Sequence, residues 1–288
     1  MTTYILVDAS YYIFYRVYAL YNWWKLTHDD FEEHGEQLHL NEEFVEKFKE
    51  MIIKKLIEMP KKLGIDKGDD IKYIIGKDCP RKHIWRNHIH PEYKAGRNNS
   101  GNYHINPGEF FKIVYNCNIF TEDNSIDVEL ISHPHLEADD CIAITTKYLH
   151  EKYSEDKKYI ITSDMDYLQL KRENVYLYNL KYKELNTKKS SLGCPKKDLL
   201  YKIIYGDKSD NIRPVFRPQE NVDSQFPLKR NMCGPKKTLY YVDNIKQLAE
   251  DLIKYNVFDV YKLNRQLIDF DMIPIEFQKE LLNSIKDI

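Results

Sequence analysis

Five carboxylates stand in two tight clusters at the ends of residues 137 to 166. Glu137, Asp139 and Asp140 stand in E-A-D-D, and Asp164 and Asp166 stand in T-S-D-M-D. The first group opens a helix, because Cys141, Ile142, Ile144, Thr145, Tyr148 and Leu149 recur at helical spacing. The second leaves a strand, since Tyr159-Ile160-Ile161 is a short apolar run followed by polar turn residues. Like charges brought together are unstable at neutral pH unless a proton or a cation intervenes. Hard divalent cations, which take oxygen ligands, answer that need. Taken singly, each acid also has an ordinary explanation. The dipole favours acids at a helix N-terminus, and an aspartate suits a strand-to-loop exit.

More acids arrive from elsewhere. Tyr4-Ile5-Leu6-Val7 reads as a buried strand ending in Asp8, and Ile71 to Lys77 as a second strand ending in Asp78. Asp8 equally suits the N-cap of the segment that follows it. A parallel sheet brings the C-terminal ends of its strands to one edge, where such sheets bind ligands. Asp207 and Asp210, in G-D-K-S-D-N-I, add two more. Convergent carboxylates mark a functional centre, and a metal site accounts for all nine together.

The elements that must position these acids follow from the rest of the pattern. A helix begins near Ser10 and carries Tyr11, Tyr12, Phe14, Tyr15, Tyr18 and Tyr21. Such a stripe packs in a core or, beside a cleft, stacks on bases. Residues 22–40 read as an irregular loop of mixed charge. Asn41 to Met59 predicts an amphipathic helix with Phe44, Phe48, Ile52 and Leu56 on one face, stopped by Pro60. Residues 98–108 are a polar break before a helix over Glu109 to Cys117. Strands are expected at Asp127 to Ser132 and Asn174 to Leu180, and helices interrupted at Pro274 from Asn244 onward.

The chain has 288 residues and a formal net charge of −2, so its overall charge does not mark a nucleic-acid binder. Local charge does. Lys77 to Arg97 carries a net +4 with three histidines, and Lys196 to Tyr240 a net +5. A charge run is usually a solvated face, but the first begins beside Asp78, a candidate metal ligand, which favours a phosphate partner. The cysteines, at 79, 117, 141, 194 and 233, include no C-x-x-C pair, so no zinc signature is present, and their scatter fits a reducing compartment. Met1 to Ser10 lacks the basic and apolar regions of a secretory signal, and no apolar run reaches membrane-spanning length. A cytoplasmic protein with no membrane contact is expected, in host cytoplasm if the source is viral.

Five motifs in this order resemble the 5′ nuclease (flap endonuclease) superfamily: V-D-A-S at Asp8, P-E-Y-K-A-G-R at 91–97, E-A-D-D at 137–140, T-S-D-M-D at 162–166 and G-D-K-S-D-N-I at 206–212. Trp85-Arg86 with Tyr93, Lys94 and Arg97, and L-I-D-F-D-M-I-P at 267–274, bring the chain nearest the RNase H / 5′-3′ exonuclease members found in T-even phages. The resemblance implies an α/β, PIN-like fold with a central, mostly parallel sheet flanked by helices. It implies a catalytic domain over 1–195 with a helical arch at about 79–110. It also implies a helical region over 196–288 with a helix–three-turn–helix DNA-binding element at about 196–245. The family's glycine hairpin, which binds a monovalent K⁺ and a phosphate, is interrupted here by residues 213–231, with Gly234-Pro235-Lys236 as its remnant. The potassium site therefore does not carry over intact, while phosphate contacts from Lys236 and Lys237 do.

The resemblance further implies hydrolysis of phosphodiesters near the 5′ end of DNA flaps, nicked or forked duplexes and RNA/DNA hybrids, with two Mg²⁺ ions about 4 Å apart, replaceable by Mn²⁺. Asp8, Asp78, Glu137 and Asp139 would surround one ion; Asp140, Asp164, Asp166 and Asp210 would serve the other, with Asp207 nearby. Lys94 and Arg97 match the residues that reach the scissile phosphate, and their spacing puts them on one helical face. Arg81, Arg86 and Lys208 are further nucleic-acid candidates, and Phe14 matches a base-stacking aromatic. A monomer is expected, with a single-stranded-DNA-binding protein as a partner. Two rivals stand against this reading. One is a non-catalytic, structure-specific DNA-binding protein of the same fold. The other is a phosphatase using D-M-D, which would want an aspartyl pair after the first strand, where Asp8 is followed by Ala-Ser.

Overall fold

The computed structural model describes residues 2–285 apart from 29–34, 67, 98–104, 123–124, 219–227, 230–231 and 233. The chain opens with β1 (Thr2–Asp8) and α1 (Ala9–Thr27), then α2 (Glu42–Ile57), α3 (Met59–Leu63) and β2 (Asp70–Gly76). Next come α4 (Arg86–Ile89), α5 (Pro107–Asn116), α6 (Ile119–Glu122) and β3 (Asp127–Ile131). Then follow α7 (Ala138–Lys152), β4 (Lys157–Ile161), β5 (Val175–Tyr178) and α8 (Pro195–Tyr205). The chain finishes with α9 (Pro235–Asp243), α10 (Ile245–Lys254), α11 (Phe258–Ile268) and α12 (Ile275–Ser284).

Among the described residues five strands form one sheet, all parallel, in the order β3-β2-β1-β4-β5. The alternation of side chains along each strand divides the core into two layers. Ile5, Val7, Tyr73, Ile75 and Ile161 face α1, α2 and α5. Tyr4, Leu6, Ile74, Ile160 and Leu177 face α7 and the residues around α12. The fold is thus the expected α/β type, a parallel sheet covered on both faces. From β1 the chain winds outward to β2 and β3, then returns past β1 to add β4 and β5 on the other side. The crevice between β1 and β4 is the topological switch point.

Several local expectations change. α1 runs on to Thr27, through part of the expected loop, because Trp24 is buried edge-on against Phe44, 5.2 Å between ring centres. Gly35–Leu40 is a 3₁₀ turn. Pro60 does not end α2; it sits in the first turn of α3, where a missing N–H costs nothing. In the segment expected to arch over the site, the described residues form a 3₁₀ turn at Arg81–His83, the single turn of α4, and turns over 91–96. The polar stretch 98–104 lies outside the described residues. So does most of the 213–231 insertion, although Val215 and Phe216 at its start are buried with Tyr241, Val242 and Leu248.

The end of the chain returns to the sheet. Phe270, Ile273, Leu281 and Ile285 join the layer under α7. Gln169 holds the connection from both sides, donating to Ile268 O at 3.0 Å and accepting from Phe270 N at 2.9 Å. Among the described residues no helix is long and apolar enough to cross a membrane.

Candidate active site

The strand register delivers the first acids. Asp8 closes β1 opposite Gly76 of β2, with Asp78 two residues further on; Val7 pairs Ile161 of β4, which leads to Asp164. Gly76 is required here. A Cβ at this position would lie 2.8 Å from Ile142 Cγ1 and 2.9 Å from Ala138 O, so only glycine lets the first turn of α7 sit this close to β2. That approach sets Glu137, the N-cap of α7, beside Asp78, whose Oδ1 accepts from Ala138 N at 2.8 Å. Ser10 Oγ donates to the other oxygen of Asp78.

Capping and site roles coincide. Asp8 Oδ1 caps α1 through Tyr11 N at 3.0 Å, while Oδ2 takes a bond from the Tyr167 hydroxyl at 3.3 Å. Asp164 caps the 3₁₀ turn Met165–Leu170 through Asp166 N at 2.9 Å and is otherwise exposed.

Burial and mutual repulsion make ionisation costly. The Asp8 carboxyl is pushed up to about 7 by burial first, then by Asp78, Asp139 and Asp164. Glu137 is raised to about 7 by burial and Asp139, against the pull of Lys94 and Arg86. Asp166 is raised to about 7 by burial and Asp164, with Lys202 opposing. Asp207 behaves differently. Burial resists its charge, but the Lys202 ammonium and the Ser209 hydroxyl and amide outweigh it and bring its pKa down to about 2.

Two groups of acids result. Glu137, Asp139 and Asp140 each place an oxygen within 4.8 Å of one another, as do Asp166, Asp207 and Asp210. Lys94 links the two groups: its ammonium pairs with Glu137 Oε1 and lies 3.9 Å from Asp210 Oδ2. Tyr93 does the same with its hydroxyl, at 3.1 Å from Glu137 Oε2 and 3.3 Å from Asp210 Oδ2. Arg97 Nη2 donates to Asp210 Oδ1 at 2.5 Å. Lys94 and Arg97 converge without a helix. Lys94 has φ +57° in a turn whose amide donates to Asp210 O at 2.9 Å, so a contact with residue 210 fixes the turn.

Other expected residues lie elsewhere. Arg86 is 1 % exposed and cannot touch a nucleic acid. It grips Asp140 through both terminal nitrogens at 2.7 Å. Asp140, expected with the second ion, is thereby drawn to the other group, and its Oδ2 also accepts from Trp85 Nε1 at 2.9 Å. Both its oxygens take these bonds, and one of them still lies within 4.8 Å of oxygens of Glu137 and Asp139. Arg81 is exposed but folds inward, donating to Arg97 O at 3.0 Å and to Lys94 O. Phe14 is 41 % exposed on α1 beside Tyr18. Lys208 and Lys236 are exposed, and Lys237 lies over the rings of Tyr240 and Tyr241 at 4.1 and 4.4 Å. Sequence reasoning missed Lys202, in the last turn of α8, whose ammonium meets Asp166 Oδ1 and, at 2.8 Å, Asp207 Oδ2. It also missed the Ser10 and Tyr167 hydroxyls. Lys202 precedes Asp207 by five residues, a spacing that carries no signal until the chain turns at Gly206.

The donor set fits divalent metal. Both groups offer carboxylate oxygen alone, which suits Mg²⁺ or Mn²⁺ and not a sulfur- or imidazole-seeking ion. The cations Arg86, Lys94, Arg97 and Lys202 leave the nine acids in excess, and Asp8, Glu137 and Asp166 respond by holding protons near neutral pH.

This site stands at the switch point of a parallel sheet, the place and chemistry of a metal-binding nuclease. A family model described as the 5′-3′ exonuclease, N-terminal resolvase-like domain, matches residues 3–193, and the chain belongs to that family. A second model, T4 RNase H, C terminal, matches residues 193–287. Ribonuclease H of Enterobacteria phage T4 is 32 % identical over 150 residues, 51 % of this chain and 47 % of that protein. A 5′-3′ exonuclease of Aquifex aeolicus is 28 % identical over 191 residues, 56 % of this chain and 63 % of the relative. One from Buchnera aphidicola is 27 % identical over 226 residues, covering 75 % and 73 %. The alignments with the first two thus span about half and somewhat under two-thirds of those relatives. Among solved structures, the T5 5′-exonuclease with bound zinc superposes with a TM-score of 0.60 at 17 % identity, covering 98 % of each chain. A T5 flap endonuclease in a pseudo-enzyme–product complex with DNA and metal ions gives 0.59 at 16 %, again over 98 % of each. These structures share the fold.

Proposed function

We propose that this protein is a divalent-metal-dependent, structure-specific 5′-3′ nuclease that hydrolyses phosphodiesters near the 5′ end of DNA flaps, nicked duplexes and RNA/DNA hybrids. The observation that carries the proposal is the meeting of carboxylates from the ends of β1, β2 and β4, the start of α7 and the turn after α8, with Lys94 between the two groups. Asp8, Asp78, Glu137 and Asp139 would hold one cation, and Asp164, Asp166, Asp207 and Asp210 a second. When bound, such cations supply Lewis acidity at the phosphate and lower the pKa of water.

The chain's own cations do the rest. Lys94 and Arg97 are paired with Glu137 and Asp210, so an entering phosphate takes over partners already aimed at the cluster. Placed there, they offset charge developing on the phosphate oxygens. Exposed Lys208 and Lys236 are suited to backbone phosphates further along the duplex, and exposed Phe14 to stacking on a base.

A panel of end-labelled substrates tests this: 5′ flap, nicked duplex, blunt duplex and RNA/DNA hybrid, each in Mg²⁺ and in EDTA. Cleavage near the 5′ end in Mg²⁺ alone is expected, with Asp139→Asn binding DNA without cutting it. Wild-type cutting by Asp139→Asn, or cutting in EDTA, overturns the proposal. Tight binding with no cutting in any metal would make the chain a DNA-binding module.

A further inference from the structure

We infer that Arg86 is a positioning residue for the metal site, holding Glu137 in ligand orientation from a seat whose rear wall is the backbone of α11. The inference rests on the reading of Glu137 as a metal ligand. Arg86 is 1 % exposed, yet both its terminal nitrogens reach the acidic group. Nη1 donates to Glu137 Oε2 at 3.1 Å and to Asp140 Oδ2 at 2.7 Å, and Nη2 to Asp140 Oδ1 at 2.7 Å. Nε donates to Leu267 O at 2.7 Å, from an element 181 residues away in sequence. The guanidinium also lies over the Trp85 ring, 4.7 Å from its centre.

This arrangement has a mechanical logic. Glu137 is a side chain with three rotatable bonds, surrounded by negative neighbours that would turn it away. Arg86 and the Tyr93 hydroxyl fix its Oε2, which leaves Oε1 to face Lys94 and the cleft. Asp140 serves as the counter-anchor. It caps its own helix through Glu137 N at 3.3 Å and takes the fork of Arg86 with both oxygens. A planar guanidinium can make these contacts and the bond to Leu267 O at once; a lysine ammonium cannot span them. Outer partners that orient metal ligands typically change metal affinity about 10–100-fold when removed.

Removing Arg86 alone strands a buried carboxylate, so Arg86→Ala would test folding as much as positioning. Replacing the pair together, Arg86→Met with Asp140→Leu, removes the charge on both sides. Arg86→Lys is the second variant and keeps the charge. Mn²⁺ is titrated by calorimetry into each protein without substrate, with melting curves alongside. Weakening of Mn²⁺ binding by about 10-fold or more in the variants, with turnover recovering as Mn²⁺ is raised, is the expected result. Unchanged Mn²⁺ affinity in either folded variant overturns the inference while the nuclease reading stands. Absence of Mn²⁺ binding by the wild-type protein overturns the nuclease reading itself.

Discussion

Raising the pH of the metal-free protein from about 5 to 8 should loosen it, and divalent metal should reverse the effect. Asp8, Glu137 and Asp166 sit at about 7 in the folded protein, against about 4 for carboxylates in an unfolded chain. Between those values the folded state holds protons that the unfolded state has released. Stability therefore falls as pH rises through this window and levels off above about 7. Each pKa unit is worth about 1.4 kcal/mol, and about two of the roughly three that separate folded from unfolded fall between pH 5 and 7, so a single group contributes about 3 kcal/mol across this range. The three groups share neighbours, so their effects do not simply add. Asp207 has the opposite sign, but its contribution is lost only as pH falls through about 4 to about 2, below this window. Lys94 and Lys202 are raised above their ordinary range, so their contribution is constant from pH 5 to 8. Thermal melts in EDTA at several pH values should show Tm dropping by roughly 10 °C, at about 2–4 °C per kcal/mol. The drop should shrink in saturating Mn²⁺, which binds the ionised cluster. A melting temperature that is flat or rises across this range without metal would refute the reasoning.

Three substitutions probe other parts of the site. Lys94→Ala should lower single-turnover cleavage about 10²–10³-fold with little change in DNA affinity, the signature of a charge that matters at the reacting phosphate; equal single-turnover rates would remove Lys94 from the chemistry. Lys202→Met leaves Asp166 and Asp207 facing each other without their shared cation. Urea denaturation should register a loss of about 3–5 kcal/mol in EDTA, largely recovered in Mn²⁺, and an unchanged midpoint would count against the ion pair. Gly76→Ala should cost about 1–3 kcal/mol as α7 is pushed off β2, with weaker Mn²⁺ binding by calorimetry; a variant identical to wild type in both would show that α7 has room to spare.

What the residues announced in advance was the sheet edge. Apolar runs ending in Asp8, in Asp78 and before Asp164 predict strands whose exits share one rim, and the register places them there. The orientation of acids on α7 was not legible. E-A-D-D spells three carboxylates alike, but a helix turns about 100° per residue, so Asp139 and Asp140 face different partners. Which of them meets a buried arginine depends on Trp85 and Arg86, more than fifty residues earlier. The turn at Lys94 was equally hidden. Its left-handed backbone is held by Asp210 O, and helical spacing gave the right proximity to Arg97 for the wrong reason. Lys202 escaped because its partners come from two separate segments.

The bond from Arg86 to Leu267 also has a bearing on how the molecule is born. A ribosome adds about 5–20 residues per second, so the sheet and its acidic rim can emerge and collapse several seconds before Leu267 exists. Until α11 is made, Arg86 lacks its rear anchor and Gln169 its partners at 268 and 270. A chain that has not yet reached Leu267 therefore lacks the contacts that back the acidic rim from behind, and α11 and the turn after it supply them.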